Sequence, residues 1–383
     1  MVSKTARVGV LISTTGTYGA VGQTIVNGVR LAARELEETA RGIRLDLSFA
    51  DPAGNNSRYV ALAEEMLQSG IRHVIGCYTS SSRQQLLPSF ERYRALLWYP
   101  AHYEGFEVSD NVVYTGTAPN HHIHPMIDYM MDNHGRTAYC VGSDYIWAWE
   151  SNRVFRDEFT RRGGLVLGEK YIPIDGLDID EVIQSILEQP PAFILNTLIG
   201  RSSYHFFRSL RKACLEKGVD QCSEIPVVSC NLSEADLHEI GQGAVDGHFS
   251  SSVYFSTVDT PENKAFVKAY RGMCPRHECL PTVEAEAAYI ATRLLGAALA
   301  DVPEGSEIEQ VRKQALNYRF FAPQGEVRLD PLTFHTYLTP RMGISNKSGE
   351  FDIVAEADHP VRPDPYLVGL APDTTLKLVS TEM

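Results

Sequence analysis

Between residues 75 and 85 the chain reads IGCYTSSSRQQ: an apolar run ends, and a thiol, a phenol and four hydroxyls follow before a polar helical pattern begins. Three chemistries are open to such a stretch. Cys77 would be a nucleophile if a nearby His or a helix N-terminus depressed its pKa, and His102 and Glu104 are the neighbours to consider. As a small residue closing a strand it would instead be buried and inert, the common state of a free Cys. The consecutive serines lack the Gly-x-Ser-x-Gly elbow of a serine hydrolase. The third chemistry is recognition without bond breaking. Hydroxyls, a phenol and the N–H groups of a helix start can pair with a carbonyl and an NH₂ without an ionic partner.

Two other clusters invite the same question. GTYGAVG places glycines at 16, 19 and 22, which is not the G-x-G-x-x-G of a dinucleotide site, and no Walker A pattern occurs, so this is expected to be a loop entering a helix. NHHIHP brings His121, His122 and His124 together, but without the ligand spacing of a zinc site. It is expected to be a polar, partly exposed helix terminus. No metal and no cofactor are expected. The seven cysteines, an odd number, fit reduced thiols, with Cys214–Cys222 and Cys274–Cys279 as the pairs that oxidation could close.

Positioning these groups requires strands and helices in alternation, and the chain supplies them. RVGVLIS is followed by QTIVNGVRLAARELEE, in which Ile25, Val29, Ala32, Ala33 and Leu36 share one helical face. LDLSFAD, IRHVIGCY and ALLWYP read as strands. SRYVALAEEMLQSG reads as a helix with Ser57 as N-cap, and SSRQQLLPSFERYR as one weakened by Pro88. The alternation resumes at residue 121 with a helix, TAYCVGSDY, ESNRVFRDEFTRRGG, LVLGEKYIPI and AFILNTLIG. Three helices then follow one another, and from FAPQGEVRLD onward the chain turns β-like. Helices with no strands of their own must pack back on the first half, so the domains are discontinuous: 1–120 with 250–325, and 121–249 with 326–383. The fold class is α/β, built on parallel sheets covered by helices.

In open parallel sheets, ligands sit at the carboxyl ends of the strands. Those ends read CYTSSS, YPAHYEGFE, GSDYIWAW, NTLIGRSS and SCNLSEAD, and carry Tyr, Trp, Ser, Thr and Asn. Tyr99, Tyr103, Tyr145, Trp147 and Trp149 alternate with polar groups rather than aliphatic ones, as in a small-ligand site. No Arg or Lys falls in CYTSSS or GSDYIWAW, which favours a small neutral ligand with an amide or urea group. The net charge of −13 argues against sequence-independent phosphate binding. No run of about twenty apolar residues marks a membrane span. MVSKTARVGVLIST lacks the long apolar stretch and cleavage site of a leader, so a cytoplasmic location is expected, or a periplasmic one if a leader has been removed.

GCYTSSSR, LLWYPAHYEGFE, NVVYTGTAPN, GSDYIWAWESN, GEKYIPI, APQGEVRLD and VRPDPY closely resemble the amide-sensing negative regulators of the aliphatic amidase operon. These are relatives of the periplasmic binding proteins for branched-chain amino acids and urea. The matches run in order from about residue 8 to 368. The resemblance implies a type I periplasmic-binding-protein fold, with two Rossmann-like lobes, three crossovers and an interlobe ligand cleft. It implies Tyr78, Thr79, Ser80, Tyr99, Ala101 and His102 as ligand contacts from the first lobe, and Tyr145, Trp147 and Asn231 from the second. It implies a non-enzymatic sensor of a small neutral amide or urea that acts on an RNA-binding antiterminator partner, with no direct nucleic-acid or membrane contact; a homo-oligomer stays open. The alternatives are the solute-binding component of an amide or urea transporter and, less favoured, an amide hydrolase using Cys77. The family pattern has Thr-Pro where this chain has Ala101–His102, and Tyr-Pro where it has Trp147–Ala148. These changes in wall and donor set point away from acetamide itself and leave urea, formamide or a larger neutral amide as the candidates.

Overall fold

The computed structural model describes residues 4–38, 43–274, 279–369 and 374–379. The chain opens with β1 (Lys4–Leu11), α1 (Gly19–Glu38), β2 (Ile43–Ala50), α2 (Asn56–Gln68), β3 (His73–Gly76), α3 (Ser80–Arg92), β4 (Leu96–Tyr99) and β5 (Val112–Tyr114). It continues through α4 (Pro119–Asn133), β6 (Thr137–Ser143), α5 (Ile146–Arg161), β7 (Leu165–Ile172), α6 (Asp180–Glu188), β8 (Phe193–Thr197), α7 (Gly200–Glu216), α8 (Gln221–Glu224), β9 (Val227–Ser229), α9 (Glu234–Ile240) and β10 (Phe249–Ser252). Helices α10 (Pro261–Met273), α11 (Val283–Asp301) and α12 (Ile308–Ala315) precede β11 (Arg319–Ala322), β12 (Gly325–Leu329), β13 (Thr336–Tyr337), β14 (Arg341–Ser345), β15 (Phe351–Ala357) and β16 (Leu376–Leu378).

The chain divides into two compact units. Unit 1 takes in the residues up to Ala118 and Asp259–Leu338; unit 2 takes in Pro119–Val258 and the residues from Thr339 onward. The chain therefore passes from one unit to the other three times. The second and third passages lie later than the sequence suggested, at 258/259 and 338/339 rather than 249/250 and 325/326. Strand β10 is an internal strand of the second sheet, and the residues after it stay attached there: Ser256 N–H donates to Glu234 at 2.7 Å and the Thr257 hydroxyl to the Phe351 carbonyl at 2.6 Å. The hairpin strands β11 to β13 belong with unit 1, because Tyr114 N–H donates to the Phe334 carbonyl at 3.0 Å and the Tyr114 and His335 rings stack at 4.0 Å.

Unit 1 is built on a parallel sheet in the order β2-β1-β3-β4-β5. The predicted stripe of α1 is its buried face, and Gly22 on that helix lies so near the Ser13 carbonyl that a β-carbon would stand 2.8 Å from the carbonyl carbon. Helices α2 and α3 cover the sheet with Tyr59, Leu67, Leu86 and Phe90 packed against Leu11, Val74 and Leu97. Helix α2 is capped by Asn55, whose side chain accepts Arg58 N–H at 3.0 Å, and not by Ser57, which lies inside the helix. Helix α3 runs through Pro88 without ending there.

Unit 2 carries eight strands in the order β16-β15-β14-β10-β9-β8-β6-β7. The run from β7 to β10 is parallel, and the three tail strands join it antiparallel. Successive residues feed opposite faces: Ile194 and Val227 enter one core, Leu195 and Val228 the other. The NHHIHP segment starts α4, and here the expectation of an exposed terminus fails. His121 and His122 are fully buried, while His124 is half-buried. The tail strap that contains VRPDPY packs on Asn120 and His121. The Asn120 amide donates to the Arg362 carbonyl at 2.8 Å, Asp364 N–H returns to the Asn120 carbonyl oxygen at 2.8 Å, and His121 Nε2 lies 3.1 Å from the Val361 carbonyl. Among the described residues, no group of three His, Cys, Asp or Glu side chains is placed to hold a metal ion. No described helix is long and apolar enough to cross a membrane.

Burial has a pH consequence. It pulls the imidazoles of His73, His121 and His248 down to about 4 from the usual value of about 6.5. The unfolded chain binds protons at these rings at a pH where the folded chain refuses them. Their contribution is therefore fully present above about pH 6.5 and is lost as pH falls toward 4. The melting temperature is expected to decline through that window, and a scan that stays flat from pH 6.5 to 4.5 would contradict this.

Candidate functional site

The carboxyl edge of the unit 1 sheet gathers the first group of predicted contacts. Strand β3 ends at Gly76, and Cys77, Tyr78 and Thr79 lead directly into α3. Thr79 is the N-cap. Its hydroxyl accepts Ser82 N–H at 3.2 Å and donates to the Ser82 hydroxyl at 2.7 Å, so the helix starts one residue later with Ser80. Ser81 accepts from the Asn56 amide at 3.0 Å. The row of hydroxyls therefore has work inside the protein, which the sequence did not disclose. The Ser80 hydroxyl is buried and donates to Glu104, which leaves its oxygen lone pairs as acceptors.

Strand β4 ends at Tyr99, whose ring is wholly buried and whose hydroxyl donates to the Tyr78 carbonyl at 2.9 Å, fixing the loop that carries Tyr78. Ala101 is buried and His102 is half-buried. The His102 and Tyr78 rings meet edge to face at 6.2 Å between centroids, and Tyr18 packs on Tyr78 at 5.5 Å. Under this edge lies a charged core. Arg83, with no exposed surface, donates to Glu107 at 2.8 Å and to Glu104 at 3.2 Å, and its guanidinium sits 4.9 and 4.6 Å from the Tyr99 and Tyr103 ring centres. Tyr103 is thus core. It donates to the Glu107 carbonyl and stacks on Tyr114.

Cys77 is fully buried, and burial pushes its thiol up to about 11. This is the opposite of what a nucleophile needs, and it matches the strand-closing role weighed above. At pH 7.5 Cys77 is expected to resist a thiol-alkylating reagent in the folded protein and to react once the chain is unfolded in urea, with mass spectrometry of the labelled peptides as the measure. Rapid native labelling of Cys77 would refute this.

In unit 2 the corresponding edge is the carboxyl end of β6, β8 and β9. Tyr145 is the half-buried N-cap residue of α5, and Trp147, in its first turn, is buried. Trp149 is exposed, its indole N–H donating to Asp144 at 3.1 Å. Asn231 follows β9, and its amide donates to the Leu198 carbonyl at 3.1 Å, while the Ser143 hydroxyl accepts Ile199 N–H at 3.1 Å. These bonds tie the three strand ends together.

Two groups at the unit 1 edge escaped the sequence reading. Tyr18 lies in GTYGAVG, where the glycines drew attention to phosphate chemistry. Glu284 lies in the first turn of α11 with its Oε1 3.5 Å from His102 Nδ1. Nothing local marks it, since an acidic residue early in a helix is ordinary.

The comparisons agree with this architecture. Residues 6–372 match the family described as the periplasmic binding protein domain. The Leu/Ile/Val-binding protein homolog 6 of Brucella abortus is 22% identical over 342 residues, covering 86% of this chain and 84% of that protein. Among solved structures, a solute-binding protein of an ABC transporter from R. palustris in complex with benzoate has a TM-score of 0.82 at 19% identity, over 94% of this chain and 98% of its own. The branched-chain amino acid transporter substrate-binding protein LivJ of Streptococcus pneumoniae, in complex with isoleucine, has a TM-score of 0.76 at 16% identity, over 92% and 99%. At these identities the structures speak for the fold, which is that of the type I periplasmic binding proteins. The family match spans nearly the whole chain, and this protein belongs to the periplasmic binding protein domain family.

Proposed function

We propose that this chain is a solute-binding protein that holds one small polar molecule, amide- or urea-like, and releases it unchanged. The observation that carries this reading is the unit 1 edge itself. Half-buried Tyr78 and His102 stand beside a buried Ser80 hydroxyl at the start of α3, while the one thiol there is protonated and sealed from solvent. Tyr78, Thr79, Ser80, Tyr99, Ala101 and His102 would contribute from unit 1, and Tyr145, Trp147 and Asn231 from unit 2. Thr79 and Tyr99 would act by fixing backbone groups rather than through their own hydroxyls. Family membership supports a transport-linked role as the component that captures solute. A second reading, an amide sensor controlling an RNA-binding antiterminator, is supported by the run of motifs from GCYTSSSR to VRPDPY.

Titration calorimetry with urea, formamide, acetamide and butyramide tests the shared claim, and at least one is expected to bind at a single site without ammonia release. Tyr145→Phe is expected to weaken that binding by roughly 0.5–1.5 kcal/mol. Turnover of the ligand, or no binding by any of the four, would overturn the reading. Whether ligand changes the affinity for a purified antiterminator separates the sensor from the transport component.

A further inference from the structure

In unit 1 buried Glu104 and half-buried Glu107 share Arg83, and half-buried Glu35 has Arg293 at 2.8 Å. Glu284, in α11, is paired with an imidazole instead. It is 1% exposed, its ion-pair partner among the described residues is the half-buried His102, and its second oxygen, Oε2, has no hydrogen-bond partner. An undonated oxygen on a buried carboxylate is costly and calls for an explanation.

The surroundings supply one. Glu284 lies against His102, whose ring meets Tyr78 at the carboxyl edge of the sheet, where ligands of this architecture sit. The neighbouring side-chain group in the proposed contact set is also an acceptor: the Ser80 hydroxyl spends its hydrogen on Glu104 and keeps only lone pairs. Arg83, beneath this edge, is committed to two other carboxylates. Of the Ser80 and Glu284 side chains, Ser80 can only accept and Glu284 keeps one carboxylate oxygen without a hydrogen-bond donor. A neutral amide offers N–H groups on one side only and brings a carbonyl that competes for donors. A planar amidinium or guanidinium offers N–H groups on every nitrogen and forms a charge-assisted bond to a carboxylate.

Resting on the solute-binding reading above, we propose that Glu284, held by His102, is the specificity-determining residue of the unit 1 edge, and that it selects small planar cations of the amidinium or guanidinium type over neutral amides of the same shape.

Two isosteric pairs test this: acetamidinium against acetamide, and guanidinium against urea, each as a calorimetric titration of the full chain at matched ionic strength. The cation of at least one pair is expected to bind about tenfold tighter than its neutral partner. Glu284→Gln is expected to bring that ratio to about one or below. Glu284→Asp, which keeps the charge on a shorter arm, should retain a preference of the same sign, and it decides the matter if Glu284→Gln does not fold. Neutral ligands binding as tightly as the cations, or an unchanged ratio in Glu284→Gln, overturns this proposal and leaves the solute-binding reading standing. No binding of any of these four compounds overturns this proposal, and failure of formamide and butyramide as well removes the solute-binding reading with it.

Discussion

Arg83→Met is expected to cost about 3–5 kcal/mol of folding stability, more than any surface ion pair of this chain would. Arg83 has no exposed surface, and it answers two carboxylates at once, Glu107 at 2.8 Å and Glu104 at 3.2 Å. Removing it strands both charges in a region walled by Tyr99 and Tyr103, whose ring faces also lose their cation. The loss propagates to the candidate site, because Glu104 is the acceptor for Ser80 and Glu107 the acceptor for Tyr114. Arg83→Lys is not a rescue: a single ammonium cannot reproduce the fork that reaches two carboxylates. Urea denaturation followed by circular dichroism measures this as a lower midpoint at unchanged slope. A loss below about 1 kcal/mol, the range of an exposed pair, would mean the pair is not the structural centre described above.

Gly116→Ala is expected to damage the site more than its size suggests. A β-carbon there would stand 2.8 Å from His102 N and nearer still to the Ala101 carbonyl, and both obstacles are backbone. Flexible side chains can rotate away from such an intrusion, whereas the Ala101–His102 peptide can only be displaced as a unit. Overpacking of this kind costs about 1–3 kcal/mol, and moving His102 disturbs its approach to both Tyr78 and Glu284. Ligand affinity is expected to fall by about tenfold or more. Gly272→Ala is the control, since nothing lies within 4 Å of its β-position in α10, and there the change should stabilise by up to about 1 kcal/mol. If Gly116→Ala binds ligand like the unsubstituted chain, the Ala101–His102 segment does not contribute to the site.

Much of this was legible in the residues because it depends on local periodicity. The α1 stripe of Ile25, Val29, Ala32, Ala33 and Leu36, the β-branched strands and the polar strand exits each follow from neighbours within a few positions. Reading failed where a local signal had two solutions or where a distant segment intervened. Asn55 and Ser57 are both competent caps, and backbone geometry chose Asn55. His121 looks like a surface residue in NHHIHP, and a strap more than two hundred residues later packs against it.

Alone, the sequence determined the α/β class, the discontinuous course of the chain and the set of strand ends rich in phenols and hydroxyls, because hydrophobic spacing and turn chemistry act over short distances. Only the tertiary structure decided how those groups are spent: Thr79 on a helix cap, Ser80 on Glu104, Arg83 on two carboxylates, and Glu284 beside His102 with one oxygen undonated. The partner of a buried polar group is set by which elements pack together, and a charge is held wherever the fold brings it its opposite, however far apart the two lie along the chain.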